Sequence, residues 1–243
     1  MENLGLYVAE FLGTLILILC GDGVVANVLL KKSKGEGGGW IVITAGWAFG
    51  VAVAVYVTGW VSGAHINPAV TIAMAVMGKI SWFIVPGYII SQMIGAFCGA
   101  ILVYLAYKDH FKETDNPDAK LSIFCTVPAI RNPISNIITE IIGSSLLLIG
   151  VLGIIDEHNH VGALGALLLG LLVFAIGLSL GGPTGYAINP ARDLGPRIAH
   201  CLLPIPGKRD SDWKYAPIPV TAPIIGAIIG VIIYTMCLKL WIP

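Results

Sequence analysis

An all-α membrane protein, with six transmembrane helices plus two re-entrant half-helices arranged as two inverted repeats, is the fold class this sequence predicts. Three observations lead there. Of the 243 residues, 56% are hydrophobic and 12% charged, against roughly 25% charged in ordinary soluble chains. Mean hydropathy is +0.86, and the apolar residues gather in blocks long enough to cross a bilayer. A short motif also occurs twice in matched surroundings. The 14 basic and 14 acidic residues cancel, which leaves no basic field for nucleic acid.

A helix needs about 20 apolar residues to cross the hydrocarbon core. Six blocks meet that length, at about 5–30, 40–60, 82–106, 134–155, 160–180 and 216–242. No basic stretch precedes the first block, which is far longer than the roughly 7–15 apolar residues of a cleaved signal, so it reads as a retained span. Polar connections lie at 31–39, 108–131 and 156–160. Two further apolar segments, at about 64–79 and 186–202, are too short to cross. Each follows a Gly-rich approach and contains Asn-Pro, the pattern of a re-entrant segment tolerated only where protein or a cavity surrounds it. Cys20, Cys98, Cys125, Cys201 and Cys237 form no CxxC pair and no metal spacing. Those in apolar blocks read as small packing residues, and no disulfide, metal or other cofactor is expected.

The two halves repeat. At a constant offset of 122, Ser62-Gly63-Ala64-His65-Ile66-Asn67-Pro68-Ala69 lies over Thr184-Gly185-Tyr186-Ala187-Ile188-Asn189-Pro190-Ala191. Upstream, Glu10-Phe11-Leu12-Gly13-Thr14 echoes Glu140-Ile141-Ile142-Gly143-Ser144. The chain is then a single domain over 1–243: repeat one about 1–107, a linking loop about 108–133, and repeat two about 134–243. Three spans per half force the second half to enter the membrane inverted. The two short segments come from opposite faces and meet near the midplane, where inverted-repeat transport proteins place their sites.

Asn is a good helix N-cap, and Pro suits the first helical position. Two half-helices starting this way point their N-termini, each carrying about +0.5 charge, at one spot. Asn67 and Asn189 then present amide N–H groups to whatever passes between them. Such a donor-only, positive constriction accepts the oxygens of neutral solutes and repels cations. A water there turns its oxygen to both asparagines, so its hydrogens are badly placed to relay a proton.

Glu10 and Glu140 are ionisable residues at membrane depth, which makes them functional candidates by default. Scaffolding is the favoured reading: a carboxylate beside an irregular loop accepts its orphan N–H groups. Asp22 has no repeat counterpart and reads as a lumen-facing or snorkelling acid. Arg192 stands where repeat one has Val70. Either it lines the pore as a fixed cation, or it belongs to a structural ion pair for which Asp193 and Arg197 are the candidates.

These motifs, with the run Asn189-Pro190-Ala191-Arg192-Asp193-Leu194-Gly195-Pro196-Arg197, resemble the major intrinsic protein family of aquaporins and glycerol facilitators across nearly the whole chain. The resemblance implies six tilted helices and two half-helices, a homotetramer with one pore per subunit, and cytoplasmic termini in the plasma membrane. Asp193 directly after the arginine, and Pro219-Val220, are similar to the glycerol-facilitator branch. The family's selectivity filter maps onto Trp47, Gly177, Tyr186 and Arg192. Gly177 stands where water-selective relatives carry a histidine, so it implies a gap wide enough for a carbon chain. Trp47 and Tyr186 supply an apolar corner for C–H groups, and Arg192 takes hydroxyls. Tyr186 departs from the usual phenylalanine, its hydroxyl either narrowing the pore or adding a hydrogen bond, and Ala222 replaces the commoner glycine.

The expected function is therefore a passive channel in the lipid bilayer for glycerol and similar small neutral solutes, with water. A mainly water-selective channel is the runner-up, and a coupled secondary transporter is a second class that inverted repeats also build. No nucleophile elbow, phosphate loop or His/Glu metal spacing suggests an enzyme, and His65 reads as a pore-lining or gating residue. One expectation conflicts with the resemblance. The first, third and fifth connections carry ten Lys/Arg against only Lys79 and Lys239 opposite, which by the positive-inside rule puts both termini outside.

Overall fold

The computed structural model describes residues 3–238 and 240; Lys239, counted above, lies outside them. Among the described residues there is no strand, and ten α-helices follow in order: α1 Leu4–Leu29, α2 Trp40–Ser62, α3 Pro68–Val76, α4 Val85–Ala106, α5 Lys108–Glu113, α6 Pro117–Phe124, α7 Pro133–Ile154, α8 Gly165–Leu180, α9 Pro190–Leu202 and α10 Pro217–Cys237. Six are long and apolar enough to cross a membrane: α1, α2, α4, α7, α8 with the 3₁₀ turn Gly162–Leu164 before it, and α10. The half-helices are α3, with 9 residues, and α9, with 13. At 1.5 Å per residue they reach about 14 and 20 Å, roughly half to two-thirds of a 30 Å hydrocarbon core.

In repeat one α1 packs on α2 and α4, in repeat two α7 packs on α8 and α10, and α2 against α8 joins the halves. Lipid tails are as apolar as leucine, so helices in a membrane associate through close backbone approach at small residues. Here that approach comes twice, from Gly95-x-x-x-Gly99 on α4 and Gly226-x-x-x-Gly230 on α10. A Cβ at Gly95 would lie 2.3 Å from the Phe11 carbonyl oxygen, and one at Gly226 2.4 Å from that of Ile141. Phe11 and Ile141 each follow the membrane glutamate of their repeat, so the same crossing is made in both halves and fixes where Glu10 and Glu140 sit.

The structure departs from the expected boundaries in three places. The linking segment 108–133 is not simply a loop. Asn116 accepts the N–H of Asp118 at 2.9 Å and of Ala119 at 3.1 Å, and with Pro117 starts α6. Phe111 of α5 and Leu121, Ile123 and Phe124 of α6 are buried, with the Phe111 and Phe124 rings 5.8 Å apart. Local capping and four apolar side chains outweigh the polar average of the segment. Helix α4 starts only at Val85, with Pro86 in its first turn, and α10 is helical to Cys237 with Leu238 outside it, residues 239, 241 and 242 of the expected block lying outside the described residues.

Candidate functional site

Both half-helices begin as local capping dictates. The Asn67 side-chain oxygen accepts the Ala69 N–H at 2.9 Å, and the Asn189 oxygen accepts those of Ala191 at 3.0 Å and Arg192 at 3.2 Å. Each asparagine then reaches across the repeat boundary. Asn67 Nδ2 donates to the Ile188 carbonyl at 2.9 Å, and Asn189 Nδ2 to the Ile66 carbonyl at 2.8 Å. An amide nitrogen carries two hydrogens, so one N–H of each residue remains for the cavity that both line. Pro68, Ala69, Pro190 and Ala191 are buried, and pack behind the asparagines.

The loops leading into the half-helices are held in an unusual backbone. Gly63, Ala64 and Ile66 have φ of 83°, 45° and 43°; Gly185, Tyr186 and Ile188 have 82°, 40° and 42°. For residues other than glycine this left-handed region costs about 1–3 kcal/mol each, and buried carboxylates compensate. Glu10, fully buried, accepts from Ser62 Oγ at 2.6 Å, His65 N at 2.9 Å, Ile66 N at 2.7 Å and Gln92 Nε2 at 2.7 Å. Glu140 accepts from Thr184 Oγ1 at 2.6 Å, Ala187 N at 3.0 Å and Ile188 N at 2.9 Å. The N–H edge of each loop is thus turned into protein, and its opposite edge is left to the cavity. His65 lines that cavity, its Nδ1 3.2 Å from Thr71 Oγ1 and its ring 5.2 Å from that of Tyr88.

Two cavities, of about 310 and 250 Å³, share part of their lining. The larger runs past Asn67 and Asn189 between apolar walls that include Leu17, Val51, Val55 and Val173. The smaller lies beside Val25, Trp40, Thr126 and Gly182. Trp47, Tyr186 and Arg192 line both, so they form the neck. The Arg192 guanidinium carbon sits 4.0 Å over the Trp47 ring, and the Trp40 and Tyr186 rings meet edge to face at 5.8 Å.

Gly177 is the filter position the structure places differently. It lines neither cavity. A Cβ there would lie 2.9 Å from Tyr186 Cζ and 2.8 Å from Thr44 Cγ2, so the missing side chain makes room for the Tyr186 ring rather than an open gap. The Tyr186 hydroxyl is buried and has no hydrogen-bond partner. Removing it loses no bond and relieves a desolvation cost of about 1–3 kcal/mol. Tyr186→Phe is therefore expected to melt at the wild-type temperature or above, with undiminished solute flux. A clear fall in both, measured in detergent and in liposomes, would contradict this placement of the ring.

The ion-pair candidates for Arg192 are corrected. Asp193 and Arg197, both fully buried, pair with each other at 2.8 Å. Asp193 also accepts from Thr126 N at 2.8 Å and Thr126 Oγ1 at 2.6 Å, while Arg197 donates to the carbonyls of Thr126, Ser211 and Asp212. Together they tie α9 to the loops around the smaller cavity. The acid beside Arg192 is Asp22, 3.6 Å from Nη1. It neither faces the lumen nor snorkels: it is 0% exposed and lines neither cavity. Its neighbour Gly21 is equally specific, since a Cβ there would lie 2.2 Å from the Trp47 ring. Sequence reading missed Gly21 as the seat of Trp47. The available signal was Gly21-Asp22-Gly23, a small-residue cluster around a charge at membrane depth.

Inverted repeats whose broken helices meet tip to tip, beside a neck joining two cavities, define a membrane protein of the pore-forming inverted-repeat class. A family model described as "Major intrinsic protein" matches residues 1–234, and the chain belongs to that family. It is 63% identical over 231 residues to a probable glycerol uptake facilitator protein of Thermotoga maritima, covering 95% of this chain and 98% of that one. It is 52% identical over 230 residues to a glycerol uptake facilitator protein of Bacillus subtilis, covering 95% and 84%. The X-ray structure of the aquaglyceroporin from Plasmodium falciparum superimposes with a TM-score of 0.87 at 29% identity, covering 98% of both chains. The chain is a multi-pass membrane protein.

Proposed function

We propose that this protein is a passive channel for glycerol and other small uncharged solutes, with water, and that it excludes ions and protons. The observation that carries the reading is the neck, which the rings of Trp47 and Tyr186 line together with the guanidinium of Arg192. A polyol has the same two characters, C–H groups on one side and hydroxyl acceptors on the other. Beyond the neck, Asn67 and Asn189 offer one N–H each at the positive tips of α3 and α9, a place for a solute oxygen and a barrier to cations. The names of the relatives point to the same solute. The remaining assignments extend this reading: Trp47, Tyr186 and Arg192 select with Gly177 behind them, the chain forms a homotetramer in the plasma membrane, and its termini are cytoplasmic. The orientation rests on the family resemblance, against the excess of Lys/Arg on the opposite face.

Stopped-flow light scattering on proteoliposomes tests the function. After a glycerol shock, vesicles with the protein are expected to shrink and then reswell faster than bare lipid. Fast shrinkage without faster reswelling would make it a water channel. Glycerol flux that saturates at low concentration and follows a proton or sodium gradient would make it a coupled transporter.

A further inference from the structure

The buried acid on α1 stands apart from the rest of the site. Asp22 is 0% exposed, yet neither of its carboxylate oxygens has a hydrogen-bond partner. Its nearest cation is Arg192 Nη1, 3.6 Å away and itself buried without a hydrogen bond. That spacing is too long for a hydrogen bond and short enough for strong Coulomb attraction in a water-poor setting. The attraction draws Nη1 towards α1, whose Gly21 also seats the Trp47 ring that the guanidinium carbon overlies at 4.0 Å.

The internal symmetry shows that the architecture does not require this pair. The offset that carries Glu10 onto Glu140 carries Asp22 onto Leu152, and the offset that carries Asn67 onto Asn189 carries Val70 onto Arg192. Leu152 and Val70 are buried and apolar. Each repeat therefore contributes one charge and one hydrocarbon side chain: the symmetry mate of the Asp22–Arg192 pair is the apolar set Leu152 and Val70. The charged version occurs only where Arg192 lines the neck. A buried carboxylate without hydrogen bonds is costly even beside a cation, so its presence beside the pore-lining arginine calls for a role.

We infer that Asp22 is the positioning residue for Arg192: its carboxylate holds the guanidinium back against α1 and Trp47, and thereby sets the width of the neck for solutes larger than water. The inference rests on the reading of the two cavities as a solute path. Without Asp22 the arginine swings towards the lumen, where its donors find water and its bulk obstructs a carbon chain more than a water molecule.

The test compares glycerol and water permeability in liposomes for wild type, Asp22→Asn, Asp22→Leu, Arg192→Val, and Asp22→Leu combined with Arg192→Val. The double variant installs the residues found at the symmetry-related positions, Leu152 and Val70, so a folded comparison exists even if Asp22→Asn proves too unstable to purify. The glycerol-to-water ratio is expected to fall about fivefold or more in the single Asp22 variants, a barrier change of about 1 kcal/mol. With valine at 192, Asp22→Leu is expected to leave the ratio where Arg192→Val alone puts it. An unchanged ratio in the single variants overturns the inference, and so does an equal fall in both backgrounds, which would mark Asp22 as a general packing residue. If wild-type vesicles are no leakier than bare lipid to either solute, the channel reading itself fails and takes this inference with it. Conducting wild type with an unchanged ratio removes the inference alone.

Discussion

Glu140→Leu is expected to give a protein that no longer holds its second half-helix in place, with solute flux lost and thermal stability sharply reduced. The substitution leaves Thr184 Oγ1, Ala187 N and Ile188 N without their acceptor in a buried setting. At about 1–3 kcal/mol for each orphaned group, the loss is about 3–9 kcal/mol. The left-handed turns at Tyr186 and Ile188, with φ of 40° and 42°, are then free to relax, and relaxation moves both the neck and the carbonyl that receives Asn67. For a chain of this size each kcal/mol corresponds to about 2–4 °C, so the melting temperature is expected to drop by at least about 6 °C. Glu140→Gln keeps the shape and one acceptor oxygen and should fall between. Glu10→Leu should cost at least as much, because Glu10 also accepts from Gln92. Fluorescence-detected gel filtration after heating, paired with flux per folded molecule, decides the matter. A Glu140→Leu protein that melts within a degree or two of wild type and still conducts would show that the glutamates do not hold the loops.

The second large effect is at Gly177. Its Cβ position lies 2.8 Å from Thr44 Cγ2 and 2.9 Å from Tyr186 Cζ, closer than a real Cβ approaches, and 3.1 Å from the Tyr186 hydroxyl oxygen, a tight contact. An imidazole there cannot share the space, so the Tyr186 ring is displaced into the neck that it forms with Trp47 and Arg192. Gly177→His is expected to cut glycerol flux more than about tenfold, a barrier rise above 1.4 kcal/mol, while water flux falls far less. Gly177→Ala adds only the Cβ and should give a smaller shift in the same direction. Equal loss of glycerol and water flux would show that Gly177 does not govern the neck.

The parts of this protein that could be read from its residues are those whose cause is local or compositional. Six spans follow from apolar length, and α3 and α9 begin at Asn-Pro because a side-chain oxygen two or three residues away caps them. Glu10 and Glu140 drew notice because a charge at membrane depth is rare. Even the α5–α6 segment carried its signal in Asn116-Pro117, hidden beneath a polar average.

Pairings that depend on how helices cross could not be read this way. Arg192 had an acid next to it in the chain, Asp193, yet i,i+4 spacing on α9 joins Asp193 to Arg197, and the crossing of α1 brings Asp22 to Arg192 from 170 residues away. Gly177 looked like an opening until the Tyr186 ring was found in its place. Apolar periodicity and capping say where a helix lies and begins, because their partners are at most one turn distant. Which side chain fills a neighbour's missing Cβ, or which acid faces a given arginine, is set by helix rotation and depth, and those exist only once the close glycine contacts of α4 and α10 have locked the bundle.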